Sequence, residues 1–267
     1  MPVMVTGAET GLGRMVVRAG RAGGGEVRAY LDGEVVGESE AAALRAQGCK
    51  VAVGAIDDEG LVELALEQVH TVVHCWGGPL TAPDEELDGL AGVLSAAVGA
   101  RCRRLVWASH QGADDPGATA YLRACADAEE LLAEAPLESV VIRRSLTYGP
   151  GDALTARLAG GAAGFRAEAR HAPLAAVDLA AAMVRADAMA RGDVRADLAL
   201  VVELTGPQVV TVGELGVLLR RAGVAGTRTP LPATTAALYA LDLGPGPAAL
   251  GREGTPPPAG ARAAALA

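Results

Sequence analysis

Aromatic side chains and positive charge are both scarce in this sequence. Phe, Trp and Tyr make up 3% of the 267 residues whereas 51% are hydrophobic, so a large core must be built mainly from Ala, Val and Leu. Lys and Arg number 23 against 32 Asp and Glu, which gives a formal net charge of −9. Because a nucleic-acid surface needs clustered Lys and Arg, we expect a globular protein that does not bind nucleic acid.

Metal-binding, disulfide and membrane-spanning patterns are also lacking. The four cysteines include no C-x-x-C pair, so the sequence predicts reduced thiols, and we expect no metal site. No apolar run reaches the roughly 18 residues of a membrane span, and no signal peptide is evident. We therefore expect a cytoplasmic protein without membrane contact.

Short runs rich in β-branched residues alternate with longer helical patterns in the first half of the chain. The strand candidates are Val3–Thr6, Val27–Leu31, Lys50–Val53, Thr71–Cys75, Arg104–Ala108 and Ser139–Arg143. The helix candidates lie near Leu12–Ala22, Glu38–Gln47, Glu59–Gln68, Asp84–Val98 and Ala118–Ala133. Strands that are apolar nearly throughout are typical of a sheet covered on both faces. The pattern predicts an α/β fold with a doubly wound parallel sheet of Rossmann type.

The alternation changes after Gly151. A helix is predicted from about Val177 to Met189, with Asp178 as its N-terminal cap. A strand at Leu198–Leu204 follows, and then a capping box at Thr211–Glu214 that begins another helix. From residue 226 onwards the chain is rich in Pro, Gly and Ala, a composition that alone is compatible with disorder.

Three glycines stand at the first predicted strand-to-helix turn, in the segment VTGAETGLG at positions 5–13. Gly7, Gly11 and Gly13 have the spacing T-G-x-x-x-G-x-G, which differs from the G-x-G-x-x-G pattern. A turn without side chains lets the backbone approach a pyrophosphate, and the helix N-terminus offers free N–H groups. Because the turn opens a βαβ series, it predicts a dinucleotide-binding site.

The second predicted strand ends next to an acidic residue, Asp32. A carboxylate there accepts hydrogen bonds from the adenine-ribose hydroxyls and repels a 2′-phosphate, which slightly favours NAD over NADP. Arg14 and Arg28 are basic side chains that would weaken this preference.

We expect a single Rossmann-type domain over residues 1–267. Its dinucleotide-binding core spans about 1–150. Residues of about 151–267 supply mostly substrate-side and C-terminal elements, including a small region that caps the substrate.

Several motifs together resemble the short-chain dehydrogenase/reductase superfamily and, more narrowly, its atypical NmrA-like branch. They are T-G-x-x-x-G-x-G, AYLRACADAEELL at 120–132, RRSLTYGPG at 143–151, VDLA at 177–180 and LTGP at 204–207. The resemblance covers most of the chain. It implies that the tail packs back on the domain despite its composition. It also implies a protein related to NAD(P)H-dependent quinone reductases, reductases of small carbonyl compounds, or redox sensors that bind the cofactor without turnover.

The resemblance implies cofactor contacts at the positions that match the family's loop and strand ends. These are Gly7, Thr10, Gly11, Leu12 and Gly13 at the pyrophosphate, Asp32 at the ribose, Asp57 at the adenine, Cys75, Trp76 and Gly77 beneath the ribose, and Arg143 and Ser145 towards the nicotinamide. Asp57, or Asp58 beside it, stands in for an acidic residue that the family usually has where this chain has Ala55.

The same resemblance places the catalytic candidates but shows departures from the family. Ser109 matches the first of two serines, His110 replaces the second, and Tyr121 matches the family's tyrosine. Cys125 stands where the family has a lysine and brings no charge. Tyr121 is therefore expected to keep a pKa near 10 unless another cation reaches it, which favours reduction over oxidation. His110 is either an acid–base group near pH 7 or a structural loop residue.

The leading hypothesis is an NAD(P)H-dependent reductase of a small conjugated carbonyl or quinone-like compound, present as a monomer or homodimer. Two alternatives stay open. One is a dinucleotide-binding sensor without turnover, suggested by the missing lysine. The other is a redox-neutral epimerase, dehydratase or cyclase that uses His110 as its base.

Overall fold

The strands of the first half follow the predicted runs to within one or two residues. The computed structural model describes residues 2–33, 36–115, 117, 119–190, 193–194 and 199–243. The six strands before residue 145 are β1 (Val3–Thr6), β2 (Val27–Asp32), β3 (Lys50–Gly54), β4 (Thr71–His74), β5 (Arg104–Trp107) and β6 (Glu138–Arg144). The later strands are β7 (Thr147–Tyr148), β8 (Arg170–His171), β9 (Leu174–Ala175), β10 (Leu200–Leu204) and β11 (Val210–Thr211).

Seven of these strands form one parallel sheet, in the order β10-β6-β5-β4-β1-β2-β3. The chain winds outwards from β1 in both directions, through β2 and β3 on one side and β4 to β6 on the other. The strand order therefore reverses beside β1, and such a reversal opens a crevice at the carboxyl edge of the sheet. The remaining strands form two small pairs, β7 with β9 and β8 with β11.

Helices cover both faces of the sheet. They are α1 (Gly11–Ala22), α2 (Glu38–Ala46), α3 (Glu59–Ala65), α4 (Pro83–Gly99), α5 (Ala120–Glu134), α6 (Ala153–Gly160), α7 (Ala176–Asp187), α8 (Val212–Arg221) and α9 (Ala233–Leu238). Helix α1 packs against α7 on one face, and α4 packs against α3 and α5 on the other. The prediction of a doubly wound Rossmann sheet is confirmed.

Successive strand residues supply two separate cores. Met4, Val72, Leu105 and Val141 belong to the core under α3, α4 and α5, whereas their chain neighbours Val5, Val73, Val106 and Ile142 belong to the core under α1, α2 and α7. Side chains along a strand alternate between faces. Both faces are buried here, and this explains why the strands are apolar at nearly every position.

Of two predicted helix N-terminal caps, one is present and the other is not. The predicted capping box is present, because Thr211 Oγ1 accepts from Glu214 N and Glu214 Oε2 accepts from Thr211 N. The prediction that Asp178 caps a helix is wrong: α7 begins at Ala176, and Asp178 lies in its first turn. A carboxylate there still interacts favourably with the helix dipole. The predicted boundary residues Ala118 and Leu198 lie outside the described residues.

Residues 226–243 pack back onto the domain. Helix α9 lies against α5, the Thr235 hydroxyl donates a hydrogen bond to the Pro79 carbonyl, and Tyr239 is fully buried. The rest of the tail, residues 244–267, lies outside the described residues. None of the described helices has the length and apolarity that crossing a membrane requires.

Candidate functional site

The first loop approaches its neighbours so closely that only glycine fits. Gly7 has a φ of +63°, and a Cβ atom built on it would lie 2.4 Å from the Trp76 backbone nitrogen. A Cβ atom on Gly13 would lie 2.0 Å from the Gly7 carbonyl oxygen. These two glycines therefore hold the start of α1 tightly against the ends of β1 and β4.

The start of α1 presents backbone donors to a cleft. Thr10 is the N-cap: its hydroxyl accepts from Gly13 N at 2.9 Å and donates to the Cys75 carbonyl at 3.2 Å. The backbone N–H groups of Gly11 and Leu12 find no acceptor among the described residues. Free N–H groups at a helix N-terminus bind anions, so this loop fits the diphosphate of a dinucleotide.

The cleft runs along the carboxyl edge of the sheet and has a volume of about 290 Å³. Its lining includes Thr10, Gly11, Leu12, Cys75, Gly77, Arg144, Thr147 and Asp152. Five of the predicted cofactor-binding residues are therefore brought together here: Thr10, Gly11, Leu12, Cys75 and Gly77. The lining is largely backbone and apolar surface, as is usual for a cofactor site.

Acidic groups gather where the adenosine half of a dinucleotide would lie. Asp32 accepts a hydrogen bond from the Trp76 indole Nε1 at 3.2 Å. Glu9, inside the glycine loop, lines the same cleft, and burial raises the pKa of its carboxyl, as do the charges of Asp32 and Glu40. Arg14 donates from Nε to Glu40 Oε1 at 2.9 Å, so its charge is already paired.

Asp57 does not reach the cleft lining in this structure. It is exposed in the loop after β3, and Asp58 caps α3 by accepting a hydrogen bond from Leu61 N at 3.0 Å. The structure therefore supplies no contact that favours either residue as an adenine ligand.

The catalytic candidate Tyr121 does not line this cleft and is sealed in the protein. Only 1% of its surface is exposed, and its hydroxyl donates to Glu86 Oε1 at 3.3 Å. Burial raises the pKa of Tyr121 well above 10, and Glu86 and Cys125 raise it further, while Arg144 lowers it. The expectation of a pKa near 10 is wrong because it took no account of burial. Tyr121 is a neutral phenol.

Glu86 belongs to the same buried group. Burial raises the pKa of its carboxyl to about 7, against the lowering effects of the Arg144 charge, the Tyr121 hydroxyl and the Gly78 backbone N–H. Cys125 is also buried, and burial raises the pKa of its thiol to about 12. Near neutral pH the group therefore contains a neutral phenol, a neutral thiol and a carboxyl that is partly protonated.

Ser109 and Arg143 do not line the cleft, although both were expected near the reacting end of the cofactor. Ser109 Oγ donates to Glu129 Oε1 at 2.6 Å, and Arg143 Nη2 lies 2.7 Å from Glu129 Oε2. They form a polar cluster with α5. Ser145 is fully buried and donates to the Ala172 carbonyl. Their side-chain partners lie within the protein framework, so these contacts give no support to a cofactor or catalytic role.

His110 is not poised as an acid–base group near pH 7. It is fully buried, Nδ1 lies 2.8 Å from the Gln111 carbonyl oxygen, and burial lowers the pKa of the ring to about 3. Its ring meets those of Tyr121 and Tyr239 edge-on, at centroid distances of 6.0 and 5.8 Å. These contacts are those of a packed core residue, and they remove the basis for assigning it as a base.

Four residues at the cleft and behind it carried no assigned role in the sequence. Glu86 resembles any acidic residue of a first helical turn, and Tyr239 lies in a tail of low complexity. Glu9 stands at a variable position of the glycine loop. Arg144 stands in the RRSLTYGPG segment, where only its neighbours Arg143 and Ser145 were given a role.

The sheet order, the glycine loop and the cleft define a Rossmann-type dinucleotide-binding protein. In the comparison with protein families, the NAD(P)H-binding model matches residues 7–186. The chain belongs to this NAD(P)H-binding family. No curated protein sequence matches the chain.

Solved structures of several enzymes share the fold. The triphenylmethane reductase of Citrobacter sp. with NADP(H) has 16% identity and a TM-score of 0.68 over 90% of this chain and 89% of its own. A dTDP-glucose 4,6-dehydratase double mutant from Streptomyces venezuelae with NAD has 18% identity and a TM-score of 0.67, covering 87% and 85%. The NADPH-dependent quinone oxidoreductase of Escherichia coli has 21% identity and a TM-score of 0.64, covering 86% and 78%.

Proposed function

We propose that the protein is a reductase that uses NAD(P)H, with NAD(H) preferred, to reduce a small conjugated carbonyl or quinone-like compound. The observation that carries the proposal is that two kinds of binding group line a single cleft. One end presents the free N–H groups of Gly11 and Leu12, and the other is lined by Arg144, which faces the buried pair of Tyr121 and Glu86.

The chain's own groups suit reduction better than oxidation. A bound nicotinamide supplies or accepts the hydride in this class of protein. Tyr121 holds its proton firmly because burial disfavours the phenolate. A neutral phenol is a poor base for removing a proton from an alcohol. The Tyr121 proton is donated to Glu86, so the proton that completes the reduction comes from water in the cleft.

The preference for NAD(H) follows from charge around the adenosine end. Glu9 and Asp32 interact with each other there, and Glu40 adds a third carboxylate. A 2′-phosphate brought near these groups would be repelled. Arg14, a basic residue that could offset this repulsion, is paired with Glu40.

The proposal is tested by measuring binding and turnover separately. Calorimetry should detect NADH binding that is tighter than NADPH binding. The absorbance of NADH should then fall with members of a quinone panel faster than in buffer alone. Double replacement Glu9→Gln with Asp32→Asn should narrow the gap between the two cofactors, whereas Glu67→Gln, an exposed charge change away from the cleft, should not. NADH binding without turnover on any quinone would contradict the reductase.

A non-catalytic dinucleotide sensor is the second candidate, and one observation favours it. Tyr121 and His110 are sealed from solvent, and the Thr235–Pro79 hydrogen bond holds α9 over the loop after β4. A cofactor that shifted this loop would also move α9, and a partner protein could recognise the changed surface. Pull-downs with and without NAD(H) should then recover different partners, and identical partners would remove the support for a sensor.

A further inference from the structure

Arg144 lines the cleft, whereas the preceding arginine does not. It is the last residue of β6, and its backbone is held by Ser109 and Gln111 of the neighbouring loop. Because successive strand residues point to opposite sides, Arg143 turns to Glu129 while the Arg144 side chain contributes to the cleft wall. Only 7% of Arg144 is exposed.

Within the part of the chain that the structure describes, the charge of Arg144 is buried without an ion-pair partner. Among the described residues, no carboxylate forms an ion pair with its guanidinium. The other deeply buried arginine behaves differently: Arg104 contacts Glu138 Oε2 at 2.5 Å and donates to three backbone carbonyls. Buried charges in proteins are normally paired. A buried guanidinium that faces a cleft is therefore suited to an anionic ligand.

Arg144 is surrounded by Glu86, Cys125 and Tyr121, and Tyr121 is the residue that matches the tyrosine of the resembled family. The positive charge of Arg144 lowers the pKa values of Glu86, Tyr121 and Cys125, and it interacts with the Tyr239 hydroxyl. Cys125 occupies the lysine position and supplies no charge. The cation in this group is therefore provided from β6 rather than from α5.

We propose that Arg144 binds the oxygen atom of the substrate that becomes negatively charged on reduction, and so replaces the missing lysine as the cation of the site. This inference rests on the reductase proposed above. It predicts a substrate class: compounds whose acceptor carbon carries a carbonyl oxygen able to reach the guanidinium, and competitive ligands that carry a carboxylate there.

The charges balance in this step. The acceptor carbon gains a hydride from the reduced nicotinamide, the π electron pair of its C=O bond moves to oxygen, and the resulting oxyanion pairs with the Arg144 guanidinium. The oxyanion then takes one proton from water that enters the cleft, and the bulk solvent neutralises the hydroxide that is left. Arg144 keeps its protons throughout, because a guanidinium does not deprotonate in proteins.

The direct test is binding of benzoate, a small carboxylate, by calorimetry in the presence and absence of NAD+. We expect the wild type to bind benzoate, Arg144→Gln to lose at least about tenfold in affinity, and Arg144→Lys to retain most of it. Arg123→Gln removes the same charge from an exposed position on α5 and should bind like the wild type. Equal benzoate affinity in wild type and Arg144→Gln, or no binding to the wild type, would overturn the proposal.

A second measurement separates the substrate oxygen from the cofactor diphosphate as the ligand of Arg144. The affinity of Arg144→Gln for NADH should stay within about twofold of the wild type. A loss of NADH affinity as large as the loss of benzoate affinity would place Arg144 at the diphosphate and overturn the assignment. Circular dichroism and thermal unfolding check that each variant is folded. If Arg144→Gln is not folded, Arg144→Met, which also removes the charge but keeps an unbranched side chain, takes its place with the same expected loss.

The outcome also distinguishes this proposal from the reductase itself. If benzoate binding depends on Arg144 but no quinone is reduced by the wild type, the reductase fails and the anion site remains. If quinones are reduced and Arg144→Gln leaves kcat and KM unchanged, the reductase stands and the role of Arg144 is wrong.

Discussion

Cys125 lies one helical turn after Tyr121 on α5, so the two side chains share a face of the helix. A positive charge does act on Tyr121, but it comes from Arg144, and burial outweighs it. The same balance acts on Glu86, whose pKa of about 7 lies above the ordinary value because burial has more effect than Arg144. At the scale of single residues, desolvation determines the protonation states of this site.

The raised pKa of Glu86 predicts a dependence of stability on pH. The folded-state pKa, about 7, lies above the value of 4.5 for an unperturbed glutamate. The contribution of Glu86 is therefore fully present below pH 4.5 and is lost as pH rises through 7. At pH 8 the free energy of unfolding of Glu86→Gln should be roughly 1–3 kcal/mol higher than that of the wild type, so the variant is more stable. At pH 4 the two should differ little.

Urea unfolding at several pH values measures this difference. Glu85→Gln changes an exposed glutamate on the same helical turn and is the control. A Glu86→Gln variant that is equally stabilised, or equally destabilised, at both pH values would contradict a buried carboxyl with a raised pKa.

Trp76 makes the adenosine end observable by fluorescence. The chain has two tryptophans: Trp76 is half-buried and bonded to Asp32, whereas Trp107 is 2% exposed in the core. NAD+ binding should change the emission of the wild type and of Trp107→Phe, because the indole environment at Asp32 changes. Trp76→Phe should lose most of the response. An unchanged response in Trp76→Phe would place the ligand elsewhere.

The β1–loop–α1 unit shows how a short segment builds a binding site. The strand is apolar, the glycines permit close backbone approach, and Thr10 caps α1 while leaving two N–H groups available. The residues that give these features lie within a dozen positions of one another. At the scale of the element, local rules therefore predict the loop, whereas its close fit against Cys75 and Trp76 also depends on β4.

Gly7→Ala should damage both stability and cofactor binding. The new Cβ atom would meet the Trp76 backbone at a residue whose φ is +63°. Gly24→Ala is a matched control, because its φ is +77° but no atom lies within 4 Å of the new Cβ. We expect a cost of about 1 kcal/mol for Gly24→Ala, with NAD+ affinity unchanged, and a larger cost for Gly7→Ala with NAD+ affinity lost.

Thermal unfolding and calorimetry with NAD+ measure the two effects. A similar loss of stability in the two variants would show that a small backbone shift relieves the clash with Trp76. Retained NAD+ affinity in Gly7→Ala would contradict the assignment of this loop to the diphosphate.

The whole molecule closes the site through contacts between distant parts of the chain. Tyr239, near the end of the described chain, packs its ring against His110, His171 and Phe165, and Thr235 reaches Pro79. Residues after 225 thus complete the core behind the cleft, although their composition is that of a linker. The burial of Tyr121 and His110 depends on this segment.

Tyr239→Ala should destabilise the protein by about 3–5 kcal/mol, because it leaves a cavity among three rings. Tyr239→Phe keeps the ring and should cost about 1 kcal/mol or less. Denaturant unfolding followed by circular dichroism measures both. A small cost for Tyr239→Ala would mean that the tail contributes little to the folded core.

Much of the fold was predictable from the sequence. The bounds of β1 to β6 agree with the predicted runs to within one or two residues, and the glycine turn lies at the cleft as expected. Hydrophobic periodicity and glycine sterics are local, so neighbouring residues reveal them. The helix start at Asp178 was misplaced because an acidic side chain suits both the N-cap and the first turn.

The assignments around the reacting end stay predictions, and the contacts of three of these residues give them no support. The motifs made Ser109 a catalytic candidate and Arg143 and Ser145 cofactor contacts, yet these side chains bond to Glu129 and Ala172. Which side of a strand end faces the cleft depends on one residue of register. Motif spacing does not determine that register.

The sequence by itself determined the parallel α/β sheet, the dinucleotide loop and the absence of a lysine after Tyr121, because each depends on residues close together in the chain. Only the tertiary structure decided that Arg144 faces this region, that Glu86 bonds to Tyr121, and that His110 is buried. Those outcomes depend on α4, α5, β6 and the C-terminal segment meeting in space. Burial then shifts protonation by more than any neighbour in sequence does.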